Sequence, residues 1–176
     1  MTVQSQEELD NLRAIGKIVR VSLDAMAQAA CPGMTTAELD AVCADVLKEH
    51  GAISSPPKVY GFPGTACISV NDEAVHGIPG DRKLVAGDLV KCDVTAEKDG
   101  FVADAAVTVR VGTVTPQAEA LARCAESAFH QGLKAARVGN HINDIGRAVE
   151  RETRKCGFSV IKELCGHGVG RSIHEE

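Results

Sequence analysis

The chain has 176 residues, enough for one domain with a sizeable core; 44% of them are apolar and only 3% aromatic. A net charge of −5 without any basic run excludes an electrostatic nucleic-acid binder, and no apolar stretch approaches the ~20 residues of a membrane-spanning helix. Seven cysteines, an odd number without CxxC spacing, fit reduced thiols in a cytoplasmic protein better than a disulfide framework.

The start, Met1 to Glu8, is polar and acidic, so it reads as neither signal peptide nor anchor. Leu9, Leu12, Ile15, Ile18, Val19 and Leu23 then recur at helical spacing, and the pattern runs toward Ala30 before Pro32-Gly33 stops it. Thr35 and Glu38 form a capping box for a second helix with Leu39, Val42, Val46 and Leu47 as its apolar stripe. Gly51 is its C-terminal cap. Residues 52–70 are expected to be extended, with Pro56-Pro57 and Gly61-Phe62-Pro63-Gly64 as loop elements.

Residues 88–111 read as two β-rich runs around a Lys-Asp-Gly turn. Side chains alternate along a strand, so Val90, Cys92, Val94 and Ala96 share one face and Asp93, Thr95 and Glu97 the other. On the return run Asp104, Ala106 and Thr108 oppose Phe101, Ala103, Ala105, Val107 and Val109. A two-residue turn at Lys98-Asp99 sets Asp93 directly across from Asp104; a turn at Asp99-Gly100 keeps both on one face but displaced diagonally, and a three-residue loop separates them. Facing carboxylates repel. A divalent cation removes that objection, since hard metals favour carboxylate oxygens. Without one, the pair is a solvated face of an edge hairpin.

Thr115-Pro116 starts a third helix that ends near Gly139, and Ile142, Ile145, Ala148 and Val149 stripe a fourth that ends at Gly157. An apolar strand is expected at Phe158-Ser159-Val160-Ile161. Cys31, Cys43, Cys124 and Cys156 fall in helical patterns as small core residues, and His50, His130 and His141 read as surface residues. The last two helices repeat the first two: Gly33 to Gly51 has the spacing of Gly139 to Gly157, and Leu39 matches Ile145. The unit is helix, helix, extended segment, hairpin, about 106 residues long and too long for a solenoid repeat. The first copy covers about 7–112, and the second, about 113–176, stops before its hairpin. A single domain spanning 1–176 is expected, α+β in class, an antiparallel sheet covered by helices.

Two histidines sit in glycine-rich surroundings: His76 before Gly77-Ile78-Pro79, and His167 within Cys165-Gly166-His167-Gly168, followed by His174. Glycine lets a ligand approach closely, and imidazole is the common neutral nitrogen ligand of transition metals. The ordered set VYGFPGTACISVNDEAVHGIP, GDLVKCDVTAEKDGF, VADA and CGHGVGRSIHEE closely resembles type I methionine aminopeptidases across essentially the whole chain. The resemblance implies a pita-bread fold and metal-dependent removal of the initiator methionine from peptides and nascent chains by a cytoplasmic monomer. It implies two divalent metals (Co, Mn, Fe, Zn or Ni) held by Asp93, Asp104 and His167. His76 and His174 are implied to contact the substrate and the reacting centre, His76 near the peptide's amino end and His174 at the developing oxyanion. Phe62, Cys67 and Ile173 are implied to wall the methionine pocket, with Val59 at a place often aromatic.

The sequence departs from the family's pattern in two ways. The family's Gly-Asp-Thr-Ser is replaced by Ala103-Asp104-Ala105-Ala106, which removes hydroxyls able to support the ligand. The family's two glutamates downstream of His-Glu-Glu have no counterpart, and Glu175 and Glu176 do not match them by motif position. Weak metal binding and little peptidase activity are therefore expected of residues 1–176. The competing readings are a non-catalytic binding protein of the same fold and a proline-specific aminopeptidase, the latter disfavoured by PGTACISVN.

Overall fold

The computed structural model describes residues 2–175. It has two compact units, one reaching Val114 and including the segment from His167, the other Thr115–Gly166. In the first unit, α1 (Gln6–Ala29) begins where the Ser5 hydroxyl accepts the Glu8 N–H at 3.1 Å, with Glu7 and Glu8 favouring the positive end of the helix. Its buried stripe is Ile15, Ile18, Val19, Ser22, Leu23 and Met26, and the Ser22 hydroxyl is satisfied by the Ile18 carbonyl at 3.0 Å. The α2 helix (Thr36–Glu49) starts with the expected reciprocal box: Glu38 N–H donates to Thr35 Oγ1 and Thr35 N–H to the Glu38 carboxylate. At its other end Gly51 takes φ +64°, a left-handed conformation that glycine adopts without Cβ strain.

All strand pairs are antiparallel and centre on β3 (Leu89–Lys98). One edge of β3 carries β1 (Ile53–Ser54) and β2 (Cys67–Val70) in succession, and β4 (Phe101–Arg110) lies along the whole of the other edge. Val90, Cys92, Val94 and Ala96 are buried together with Ile68 and Val70 beneath α1, so one face of the sheet is core and the other is left for chemistry. Residues 52–70 are not wholly extended, because α3 (Ser55–Tyr60) interrupts them. Pro56-Pro57 belong to its first turn, where a missing N–H costs nothing, and Gly61 ends it at φ +65°.

In the second unit, α4 (Pro116–Ala135) and α5 (Ile142–Lys155) pack on each other. Thr115 caps α4, accepting the Ala118 N–H at 3.2 Å. Asp144 caps α5 by accepting the His141 N–H at 2.9 Å. Three boundaries recur at an offset of 106 residues, pairing Ala29 with Ala135, Thr36 with Ile142 and Glu49 with Lys155, as a duplication requires. The strand expected at residues 158–161 does not form. Phe158 N–H instead donates to Thr153 O, folding the chain onto the end of α5. Cys43 and Cys124 are core residues, but Cys31 and Cys156 are exposed, each just beyond a helix end where the stripe no longer sets burial. Among the described residues no helix is long and apolar enough to cross a membrane.

Candidate metal centre

Lys98 pairs with Phe101, so Asp99 and Gly100 form the turn, at φ +54° and +78°. That is the left-handed pair a two-residue hairpin needs. Asp104 consequently lies across from Thr95, and Asp93 across from Ala106. The carboxylates are diagonal neighbours on one face, and they still come into mutual hydrogen-bonding contact. On the other edge Cys67 is the partner of Asp93, placing its thiol on the same face.

A second, smaller hairpin brings the histidines. Gly168 N–H donates to Glu175 O at 3.2 Å and Glu175 N–H to Gly168 O at 2.9 Å. A Cβ on Gly168 would lie 2.9 Å from Glu175 O, so only glycine permits this closure. It sets the His167 and His174 rings 4.1 Å apart between centroids. The loop is tied down at three points. Val102 N–H donates to Gly170 O at 2.7 Å, the Arg171 guanidinium lies 4.6 Å over the Phe101 ring, and Arg171 Nη2 donates to Glu8 Oε1 at 2.7 Å. His167 Nε2 thereby stands 3.6 Å from Asp104 Oδ2.

Burial, then the Asp104 charge and their shared hydrogen bond, raise the Asp93 carboxyl to about 7, with His167 acting in the opposite direction. Neither lysine nor arginine is among the groups acting on Asp93. Two carboxylates with one imidazole suit a divalent cation. Among the described residues no three His, Cys, Asp or Glu side chains already close around a point as a complete metal site does. Asp93, Asp104 and His167 therefore offer donors for part of a coordination shell, and in donor chemistry they fit.

His76 lies in the loop after β2 with φ +58°, a conformation that costs a non-glycine residue roughly 1–2 kcal/mol. It is held there by Gly77, whose carbonyl accepts the Ile68 N–H at 2.9 Å and whose N–H donates to Ser69 Oγ at 3.0 Å. Among the described residues the His76 side chain makes no hydrogen bond to the aspartates or to the other histidines. Phe62 and Pro79 flank Gly64, Val59 is exposed on α3, and Ile173 is buried at 6% exposure. Burial first, then Asp93, Asp104 and Asp40, push the Cys67 thiol up to about 11, so it is a neutral thiol and not a nucleophile.

Pattern reasoning missed three residues. Tyr60 Oη lies 2.7 Å from His174 Nδ1, a contact hidden because residues 52–70 read as extended. Asp40 accepts from the backbone N–H of Thr65 and Ala66 at 2.7–3.0 Å, anchoring the entry to Cys67. Arg171 braces the histidine loop. Long-range pairings of this kind leave no periodic trace.

The family model of metallopeptidase family M24 matches residues 10–176. Methionine aminopeptidase 2 of Bacillus subtilis (strain 168) is 49% identical over 176 residues, spanning 99% of this chain and 71% of that protein. A methionine aminopeptidase of Staphylococcus epidermidis is 44% identical over 99% of this chain and 70% of its own length. Among solved structures, methionine aminopeptidase from Rickettsia prowazekii superposes with a TM-score of 0.95 at 32% identity, covering 100% of this chain and 71% of that one. Prolidase from Pyrococcus furiosus, at 20% identity and a TM-score of 0.84, shares the fold alone.

Proposed function

The chain belongs to metallopeptidase family M24, and from that premise we propose that it is a methionine aminopeptidase, removing N-terminal methionine from peptides and nascent chains. The observation that supports this most is the hairpin face, where Asp93 and Asp104 touch and His167 stands 3.6 Å from Asp104. In this reading Asp93, Asp104 and His167 hold divalent metal, in the two-ion form that the resemblance to methionine aminopeptidases implies. When bound, such ions lower the pKa of a water and polarise a carbonyl.

The protein's own residues do the rest. His76, on its strained loop beside β2, binds the peptide near its amino end. His174 donates a hydrogen bond to the carbonyl oxygen as negative charge develops on it. Phe62, Ile173 and the neutral Cys67 thiol enclose the methionine side chain, sulfur against sulfur and ring. A cytoplasmic monomer is the setting proposed, consistent with seven cysteines lacking a disulfide pattern.

The test, on a protein that carries these residues together with the family's two downstream glutamates, is release of the first residue from Met-Ala-Ser, Leu-Ala-Ser and Lys-Ala-Ser peptides with Mn(II) or Co(II) present. Met release that far exceeds the other two and stops with a chelator is expected. Equal turnover of the three would refute the specificity. Metal binding with no turnover at all would favour a non-catalytic binding protein of this fold.

A further inference from the structure

His174 has two ring neighbours. One is the His167 ring at 4.1 Å; the other is Tyr60, in edge-to-face geometry at 6.1 Å and 61°, with its phenol oxygen 2.7 Å from Nδ1. The phenol sits on a fixed element. Pro56-Pro57 open α3, Gly61 closes it, and Lys58 Nζ bonds the Glu97 carboxylate of β3 at 2.7 Å. Ser54 Oγ, just before the helix, donates to Thr65 O at 2.6 Å. Tyr60 is thus presented to His174 by a short helix fastened to the strand that carries Asp93.

A neutral imidazole carries one proton, on Nδ1 or on Nε2. A phenol O–H is a stronger donor than an imidazole N–H, and an imidazole nitrogen is a better acceptor than a phenol oxygen. The short Oη to Nδ1 contact therefore runs from phenol to imidazole. We propose that Tyr60 is a positioning residue: its hydroxyl donates to Nδ1 of His174, fixes the Nε2–H tautomer, and so keeps an N–H donor available to the peptide carbonyl. The inference rests on the role given to His174 above. The opposite tautomer would place a lone pair on Nε2, and a neutral His174 could then repel the developing oxyanion but not bind it. Tyr60 acts through His174 and does not itself meet the reacting atoms.

Two measurements on the full chain test this. In the metal-free protein at roughly pH 8.5, where imidazole is neutral, long-range proton–nitrogen NMR correlations report the tautomer, and His174→Gln identifies the signals. Wild type is expected to show a proton on Nε2 and none on Nδ1, and Tyr60→Phe a mixture of tautomers. A proton on Nδ1 in wild type, or an unchanged pattern in Tyr60→Phe, overturns the proposal. In Met-peptide assays Tyr60→Phe should lower kcat about fivefold, with KM held within about twofold, the loss of one hydrogen-bond's worth of transition-state stabilisation. An unchanged kcat, or a rise in KM alone, overturns it as well. Absence of any Met release by wild type would instead defeat the functional reading and leave the tautomer result to decide the claim about Tyr60.

Discussion

Asp93 carries the largest electrostatic tension in the site. Its folded-state value of about 7 lies above the ordinary aspartate value near 3.9. The metal-free folded chain therefore keeps a proton that the unfolded chain has lost. The stabilisation is complete below about pH 4 and disappears as the pH rises through about 7. Thermal or urea unfolding of the metal-free protein should show lower stability at pH 8 than at pH 5 from this source, by roughly 1–4 kcal/mol. A saturating divalent ion should flatten the slope. For the same reason Asp104→Asn should stabilise the metal-free protein at pH 7 while impairing metal-dependent activity. A variant no more stable than wild type at that pH would argue against the contact between the carboxylates. A period of two together with a two-residue turn places both aspartates on one face. Their diagonal offset was not legible, because Lys98-Asp99-Gly100 accommodates either turn and only the left-handed pair at Asp99 and Gly100 selects one.

Elements hold these residues through a few close approaches. A Cβ on Gly77 would overlap the Ile68 carbonyl oxygen and come within 2.7 Å of Ser69 Cα, so Gly77→Ala must push the His76 loop off β2. We expect it to destabilise the protein by about 2 kcal/mol or more, measured by denaturant unfolding. The histidine loop depends on Arg171, which covers Phe101 and bonds Glu8. Arg171→Ala should speed amide hydrogen exchange at Gly168 and Glu175 while leaving β3 protected; equal protection there would contradict the bracing role. In the second unit, Leu121 and Phe129 of α4 are 45% and 64% exposed, whereas Ile15 and Leu23, 106 positions earlier in α1, are buried beneath the first hairpin. The helices and their caps were legible because stripes and capping boxes are local. The short α3 was not, since two prolines suggest a loop unless they fall in a helix's first turn.

At the scale of the whole molecule, the sequence resemblance, the family match and the superposition with solved methionine aminopeptidases agree on fold and relationship, over about 71% of the length of the relatives from Bacillus subtilis and Rickettsia prowazekii. The candidate site residues are those that the motifs carry. The contacts of Tyr60 with His174 and of Arg171 with Glu8 and Phe101 arise from tertiary closure and were not legible in the sequence. In the function proposed above, the face of the β3–β4 hairpin opposite the core is a divalent-metal site built on Asp93, Asp104 and His167. Titration of Co(II) into the metal-free chain, followed by visible absorption and calorimetry, tests it most directly. Wild type should bind with proton release that grows below pH 7, and Asp104→Asn and His167→Ala should each weaken binding at least about tenfold. Equal Co(II) affinity in wild type and both variants would contradict the account.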